Sequence, residues 1–186
     1  APRVSGMVTH IPIIDNQFVN QGELLFELDK EPFEIAVAQA DANLKRSRIS
    51  SRASKIEYDR LQDIFNKDPG AVSQKDLNRR EANYLESLSK IDVAKEDLRG
   101  AKLNLSYTEI RASLDGYVSN VDFQIGTQTI ANTPILALVD VNSFWVFGYF
   151  RESQIDKFKI GDLARVTLMA YPDTPLQGHV ESLGWG

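Results

Sequence analysis

The feature that most constrains this fold is a sequence repeat whose two halves are separated by a long segment of different character. Residues 4–8 (VSGMV) match residues 114–118 (LDGYV), and residues 25–28 (LFEL) match residues 135–138 (ILAL) at the same offset of 110. The repeated stretches are short apolar runs bounded by Gly, Pro and Asn, a pattern typical of strands joined by tight turns. We therefore expect the halves to pair into one small β domain, with Gly6 and Gly116 in turns or close backbone contacts.

The segment between the halves has the composition of a helical hairpin. Residues 32–105 are dominated by Ala, Leu, Lys, Arg, Glu, Asp, Ser and Gln, and one break at residues 66–70 (NKDPG) divides them. Pro32 suits the first turn of a helix, and Ser73 followed by Asp76 forms a variant capping box. The sequence thus predicts two antiparallel helices of about 33 residues, each about 50 Å long at a rise of about 1.5 Å per residue.

The two helices are predicted to pack as a coiled coil. On the first helix, residues at alternating spacings of four and three form a seam: Phe33, Val37, Ala40, Leu44, Ser47, Ser51, Ser54, Tyr58, Leu61 and Phe65. The second helix keeps an apolar seven-residue stripe, made of Leu77, Tyr84, Leu88, Ile91, Leu98 and Leu105. Three charged residues interrupt that stripe: Glu81, Lys95 and Lys102.

Charged residues are expected to pair across the hairpin. A fold-back at the break places Lys45 and Arg46 opposite residues 92–96, and Arg52 opposite Glu86. Such exposed pairs would set the register more than they add stability. The basic run between residues 45 and 55 is therefore interpreted as a solvated, salt-bridged face, not as a site for nucleic acid or anionic lipid.

Composition excludes several functional classes. The 186 residues include 21 Lys and Arg against 26 Asp and Glu, so the net charge of -5 provides no basic field for a nucleic acid. Cysteine is absent and histidine occurs only at His10 and His179, which removes thiolate nucleophiles and Cys-type zinc sites. No phosphate loop or Gly-x-Ser-x-Gly motif is present. We expect a protein that is not an enzyme and that carries no cofactor or metal.

Two sets of motifs around the hairpin resemble those of periplasmic adaptor proteins, the membrane fusion proteins or haemolysin-secretion-D family of bacterial efflux and secretion systems. The first set is VSG at 4–6, DNQ at 15–17, Gly22 and LFELD at 25–29; the second is LSYTEIRA at 105–112, then DG at 115–116 and Val118. The resemblance covers the whole chain. It is greatest to adaptors that have a short hairpin and a single amino-terminal membrane anchor, which serve major-facilitator or aromatic-acid exporters.

This resemblance implies an α+β fold in three parts. Residues 1–30 and 106–140 would form a split, lipoyl-like β domain, and residues 31–105 a coiled-coil hairpin with its tip near 66–72. Residues 141–186 would begin the next domain, a β-barrel, with the segment NSFWV at 142–146, Glu152 and Gly161-Asp162 as its first motifs. We expect that barrel to be truncated in this chain, and the aromatic run at 144–150 to be one of its core strands.

The resemblance also implies a location and a set of partners. The protein would lie in the periplasm, anchored to the inner membrane by an amino-terminal segment absent from this chain. An inner-membrane exporter of the major-facilitator or aromatic-acid type and an outer-membrane channel would be its partners. Relatives assemble as trimers or hexamers, so a homo-oligomer is expected.

Three residues around the hairpin tip are the candidate partner-binding site. In relatives that dock on an outer-membrane channel, an Arg, a Leu and a Ser at the tip make the contact; Arg60, Ile64 and Ser73 occupy similar places here. Ile replaces Leu, and residues 68–70 lengthen the loop. A structural interpretation stands beside this one, with Ser73 as a helix N-cap, Ile64 packed beside the seam and Arg60 solvated.

Two other functions are alternatives. Lys30 follows Asp29 as in the Asp-Lys turn of a lipoyl or biotinyl carrier domain, but the chain then runs into Pro32 and a helix, which favours an ordinary lysine at a helix start. A purely structural coiled-coil protein that only self-associates is the second alternative. The split repeat argues against it, because a simple coiled coil does not need paired β halves.

Overall fold

The computed structural model describes residues 1–141, 145–151, 154 and 157–184. The chain divides into two units, Ala1–Ser143 and Phe144–Gly186. In chain order the elements are β1 (Gly6–His10), β2 (Phe18–Val19), β3 (Leu24–Leu28), α1 (Glu31–Lys67), α2 (Gln74–Ser106), β4 (Glu109–Arg111), β5 (Gly116–Ser119), β6 (Gln128–Thr129), β7 (Ala137–Asp140), β8 (Leu163–Leu168) and β9 (Tyr171–His179). The α+β class predicted from the sequence is confirmed.

In the first unit, strands from before and after the hairpin pair with each other. One sheet has the strand order β4-β3-β1-β6 and the other the order β2-β5-β7. β1 pairs antiparallel with β6, β2 with β5, and β3 with β4. Each of these three pairings joins a strand that precedes the hairpin to one that follows it.

The 110-residue offset of the sequence is also a symmetry of the hydrogen bonds. The amide of Val8 donates to the carbonyl of Thr127 at 2.9 Å, and the amide of Val118 donates to the carbonyl of Gln17 at 2.9 Å. The two donors, Val8 and Val118, are 110 residues apart, and so are the two acceptors, Gln17 and Thr127. The two halves of the repeat are therefore joined by equivalent hydrogen bonds, as in a pair related by two-fold symmetry.

Two turns repeat with the strands. Asn16 has φ 61° and its counterpart Gly126 has φ 93°, while Gly22 has φ 84° and its counterpart Asn132 has φ 63°. Gly and Asn are the residues that adopt this left-handed conformation most readily, so each half supplies one of them at each turn. Residues 110 positions apart thus share a backbone conformation at these turns even where the residue type differs.

The core of the first unit lies between its two sheets. Its fully or nearly fully buried residues come from both halves: Val8, Ile13, Val19, Leu25, Phe26, Leu28, Ala112 and Val118. The rings of Phe26 and Phe123 meet edge to face with centroids 5.0 Å apart. Gly6 and Gly116 lie in close contacts, as expected, because a Cβ at Gly116 would overlap the carbonyl oxygen of Val139 and one at Gly6 would lie 3.3 Å from Leu28 Cβ.

The predicted helical hairpin is confirmed, with α1 of 37 residues and α2 of 33. At about 1.5 Å per residue these helices are about 55 and 50 Å long. All ten predicted seam residues of α1 are buried or half-buried, and Leu44 and Ser51 are the most buried of them at 5% and 4% exposure. Neither helix, over the residues that the structure describes, carries an apolar stretch that meets the length and hydropathy needed to span a membrane.

The seam of α2 differs from the prediction in every second layer. The predicted positions Leu77, Tyr84, Ile91, Leu98 and Leu105 are buried or half-buried, but Glu81, Leu88, Lys95 and Lys102 are exposed. The alternate layers are filled by residues three positions after the first four of these, namely Arg80, Ser87, Ala94 and Ala101. Three of the four have small side chains, so the apolar character of Leu88 is not a guide to which residues lie in the seam.

The register of the hairpin agrees with a fold-back centred on Pro69. The hydroxyl of Ser87 donates to that of Ser51 at 3.0 Å, and the two residues are equidistant from Pro69 in the sequence. Closer to the tip, the rings of Tyr58 and Tyr84 stack with centroids 6.2 Å apart. A buried hydroxyl pair therefore lies at mid-seam, with an aromatic contact on its tip side.

The predicted ion pairs of Lys45, Arg46 and Arg52 across the hairpin are wrong. Lys45 pairs with Asp41 on its own helix at 2.7 Å. The acidic residues expected to face them pair within α2, as Glu86–Lys90, Asp92–Lys95 and Glu96–Arg99. The reason is that these residues lie on the outer sides of the two helices, so that side chains at the same height point away from each other.

The second unit contains the antiparallel pair β8–β9, in which Leu163 is opposite His179 and Val166 opposite Leu176. The expected aromatic core strand is not observed, since described residues 145–150 form no strand and Trp145 and Tyr149 are 67% and 95% exposed. Within the described part of this unit, two strands provide no second layer against which aromatic side chains can pack. Residues 142–144 and 152, which belong to the predicted start of the barrel, lie outside the described residues.

Candidate functional site

The hairpin tip is an exposed turn ordered by one aspartate. The amide of Asp68 donates to the carbonyl of Ile64 at 2.8 Å and ends α1, while Asp68 Oδ1 accepts from the amide of Gly70 at 3.0 Å. The amide of Ala71 donates to the carbonyl of Asp68 at 3.0 Å. All side chains from residue 66 to residue 71 are exposed. The tip is therefore a defined surface, and no sequence motif marks Asp68 as the residue that organises it.

Ser73 is the N-cap of α2, as its structural interpretation predicted. Its Oγ accepts from the amide of Lys75 at 3.2 Å, and its carbonyl accepts from the amides of Asp76 and Leu77 at 2.9 and 3.1 Å. The capping box is only half formed, because the Asp76 carboxylate pairs with Arg79 at 2.8 Å instead of turning back to the cap. The hydroxyl of Ser73 is thus engaged, while the residue itself remains exposed at the tip.

Arg60 and Ile64 lie one helical turn apart on α1 and so share a face. Ile64 is 39% exposed. Arg60 is exposed and makes no ion pair with any residue that the structure describes. The structure therefore places two of the three predicted site residues together on one face of α1, and the third at the start of α2 beyond the tip loop.

At the base of the hairpin, Lys30 lies at the N-cap position of α1. Its Nζ lies 3.0 Å from Glu27 Oε1 and 2.7 Å from Glu109 Oε1, and Arg111 is 2.7 Å from the other oxygen of Glu109. The hydrogen bond to Glu109 is the main cause that raises the pKa of Lys30, and the same bond lowers the pKa of Glu109. This chain of charges fastens the start of α1 to β3 and β4.

The position of Lys30 does not suit a carrier lysine. A carrier presents its lysine on an exposed turn between two strands, whereas the Lys30 amine is held by two carboxylates at a helix start. His10 is exposed on β1 of the first unit, and His179 is exposed on β9 of the second. Within the described ranges, no group of three or more His, Cys, Asp or Glu side chains is arranged to hold a metal ion.

Known proteins share both the sequence pattern and the fold. The family model described as "RND MFP, barrel-sandwich hybrid domain" matches residues 1–141. The uncharacterized protein YdhJ of Escherichia coli K12 is 36% identical over 183 residues, which are 98% of this chain and 63% of YdhJ. The chain therefore spans less than two thirds of the length of that relative.

Two solved structures resemble the fold. The membrane fusion protein Spr0693 from Streptococcus pneumoniae R6 superposes with a TM-score of 0.71 at 17% identity, over 96% of this chain and 74% of Spr0693. MacA from Actinobacillus actinomycetemcomitans gives a TM-score of 0.56 at 23% identity, over 98% of this chain and 61% of MacA. At these identities the likeness concerns the fold alone.

Proposed function

Because the chain belongs to the membrane fusion proteins, as its motifs predicted, and is matched by a family model described for RND systems, we propose that it is the periplasmic adaptor subunit of a multi-component efflux or secretion system. In this role its hairpin tip contacts an outer-membrane channel, while the β domain lies toward an inner-membrane exporter. The resemblance of the motifs favours an exporter of the major-facilitator or aromatic-acid type. It likewise favours an amino-terminal membrane anchor and a ring of three or six copies.

The observation that carries this proposal is how the hairpin is attached to the β domain. α1 begins at Glu31, shortly after β3 ends at Leu28, and α2 ends at Ser106, shortly before β4 begins at Glu109. Because β3 and β4 are paired neighbours, both helices start from adjacent strands of one sheet. A spacer about 50 Å long, with both ends fixed and an exposed tip, suits a protein that holds two partners apart.

The three parts of the chain would divide this task. The split domain of residues 1–30 and 106–140, which we propose to be lipoyl-like, would provide the base. The hairpin of residues 31–105 would provide reach, and residues 141–186 would begin a β-barrel. No bond is made or broken in this mechanism. A ring of tips can make many weak contacts at once, so that each tip need not bind tightly.

Photocrosslinking from position 64 of the full-length protein in cells tests the docking role. The side chain of Ile64 is exposed and, unlike that of Ser73, makes no capping hydrogen bond. Capture of an outer-membrane channel, identified by mass spectrometry, is the expected result. A probe at Ile125, which is 66% exposed in the β domain, is the matched control and should not capture the channel. Capture of only the protein itself or inner-membrane components from position 64 would contradict tip docking.

Paired substitutions at Ser73 separate docking from helix capping. Ser73→Arg and Ser73→Ala both remove the cap, at a cost of about 1 kcal/mol in the free energy of unfolding. Only the arginine adds bulk and charge to the tip, so we expect Ser73→Arg to abolish export and Ser73→Ala to retain it. Ile64→Asp should also abolish export without loss of helix content. Equal export by both Ser73 variants would show that the tip surface at this position is not used.

A further inference from the structure

A polar cavity of about 270 Å³ lies between α1 and α2 near the middle of the hairpin. Three serines and two cations line it, namely Arg46, Ser47, Ser50, Ser87 and Lys90. None of these lining residues is acidic or apolar. Side chains that join two packed helices are normally apolar, so this polar opening does not serve helix packing.

The hydroxyls at the cavity are of two kinds. Ser87 is 6% exposed, and its Oγ lies 3.0 Å from the Ser51 hydroxyl and 2.6 Å from the Tyr84 carbonyl. By contrast, the hydroxyls of Ser47 and Ser50 form no hydrogen bond with any residue that the structure describes. Two hydroxyl groups are thus available to donate to a bound ligand.

The two cations at the cavity also differ. Lys90 Nζ lies 2.7 Å from Glu86 Oε1, so its charge is balanced on its own helix. Arg46 forms no ion pair within the described part of the chain, and its guanidinium donates to the side-chain oxygen of Asn43 at 3.3 Å. The Arg46 guanidinium therefore offers a fork of further N–H donors and a positive charge that no carboxylate compensates.

The stretch of α1 around the cavity is basic. Residues 42–56 contain five Lys and Arg and no acidic residue. The first and last of these cations pair with acidic residues just outside the stretch. Arg46, Arg48 and Arg52 have no such partner among the described residues, because the acidic residues expected to face them pair within α2. In a chain of net charge -5, this stretch is a local region that attracts anions.

We propose that the cavity binds the carboxylate of a small, polar organic acid. The Arg46 guanidinium donates to both carboxylate oxygens, the arrangement in which arginine and a carboxylate match best. The hydroxyls of Ser47 and Ser50 donate to the same carboxylate or to a hydroxyl of the ligand. Since Glu86 balances Lys90, the remaining charge suits a monoanion. The lack of apolar lining favours a hydroxy acid over an aromatic acid.

The ligand can be a free acid or part of a polymer, because both present the same carboxylate. α1 begins at Glu31, so Ser47 lies about 24 Å along the helix, near its middle. In the proposed function this height lies in the periplasm between the two membranes, within reach of free organic acids and of the carboxylates of cell-wall peptides. Only these sources rest on the proposed function, since the site itself follows from the cavity.

Saturation-transfer NMR of the full-length protein tests the site, with lactate as the probe. We expect saturation to reach the lactate methyl group, and acetate to compete with lactate more strongly than chloride does at equal ionic strength. Benzoate should bind no more tightly than lactate, because its ring finds no apolar side chain in the cavity. A lack of transfer to lactate, equal competition by chloride and acetate, or tighter binding of benzoate would overturn the proposal.

Substitution of neighbouring cations separates the site from the general charge of α1. Arg46→Gln should raise the Kd for lactate about tenfold, the effect of losing a charge-assisted hydrogen bond. Arg48→Gln is the matched control, because Arg48 is also an exposed cation without an ion pair to a described residue but does not line the cavity. Equal weakening by both variants would attribute binding to diffuse charge and overturn the proposal. Ser50→Ala, at an exposed position, should weaken lactate binding a few-fold without loss of helix content.

Cosedimentation of the full-length protein with isolated cell-wall sacculi distinguishes the two sources. Pelleting that lactate reverses and Arg46→Gln reduces would identify a polymer-borne carboxylate, whereas transfer to lactate without pelleting would identify a free acid. The site and the adaptor role fail separately. Channel capture from position 64 without transfer to lactate removes only the carboxylate site, and transfer to lactate without channel capture removes only the docking.

Discussion

Replacing Gly116 with alanine is expected to destabilise the first unit by about 3 kcal/mol, the upper part of the range for overpacking. The added Cβ would overlap the carbonyl oxygen of Val139 and lie 3.0 Å from its carbonyl carbon. Both are backbone atoms of β7, which pairs with β5 from Gly116 to Ser119. The strand therefore cannot move away without disturbing its ladder, and a Gly116→Val variant should be affected more strongly still.

Gly6→Ala is the matched comparison, because Gly6 is related to Gly116 by the 110-residue offset. The nearest atom to its added Cβ is Leu28 Cβ at 3.3 Å, a side-chain atom that can shift by a few tenths of an ångström. We expect this variant to cost about 1 kcal/mol. At about 2–4 °C per kcal/mol for a chain of this size, the expected decreases in Tm are about 6–12 °C for Gly116→Ala and about 2–4 °C for Gly6→Ala.

Scanning calorimetry of the two variants and the parent protein measures both decreases. Residue type and repeat position are the same at the two sites, so only the atoms that the new methyl group meets make the expected costs differ. Equal decreases in Tm, or an unchanged Tm for Gly116→Ala, would contradict the overlap with the Val139 backbone as the cause.

The hairpin and its base give three further predictions. Gly100→Ala should stabilise α2 by about 0.5–1 kcal/mol, because nothing lies within 4 Å of the added Cβ and glycine disfavours a helix interior; an unchanged urea midpoint would contradict this. Ser87→Ala should cost about 1–3 kcal/mol by leaving the buried Ser51 hydroxyl without its partner, and adding Ser51→Ala should recover part of that loss in the same urea titration. The pKa of Glu109 is lowered by its bond to Lys30, so the stability it contributes is present above its ordinary pKa of 4.5 and is lost as pH falls through the lower folded value. Glu109→Gln should therefore destabilise the protein at pH 7 and have little effect near pH 2, and equal effects at both would argue against the ion pair.

The sequence predicted those parts of the fold that depend on a strong period or a strong break. The seam of α1 follows from a regular spacing of mostly apolar residues, and the tip follows from Pro69 and Gly70. On α2, periodicity assigns every second position of the seam to the wrong residue. Leu88 is the more apolar residue and is therefore predicted to be buried, whereas the sequence gives no sign that the smaller Ser87 and Ala94 are buried instead. Whether a small residue lies in a seam depends on how closely two helices approach, which single-sequence periodicity does not report.

The candidate site was predicted unevenly for a related reason. The N-cap role of Ser73 follows from local backbone chemistry, and the structure shows it. The predicted ion pairs across the hairpin are wrong because position in the sequence indicates height along the hairpin but not the direction in which the side chains of Lys45 and Arg52 point. The docking role of Arg60 and Ile64 rests on family resemblance, since neither residue differs from an ordinary surface residue in its contacts.

The pairing of β3 with β4 determines how the chain can fold as it is synthesised. Three of the strand pairings of the first unit wait for residues made after the hairpin, and closing a loop of some 80 residues at random would be slow. A hairpin that zips locally from its tip shortens this search, because its two ends arrive together at the positions of β3 and β4. Removing the same number of whole turns from both helices should thus leave assembly of the β domain intact. Shortening one helix alone would shift β3 and β4 out of register. Formation of the hairpin thus brings the strands of the β domain together. The length of the hairpin can change without any change in the β domain.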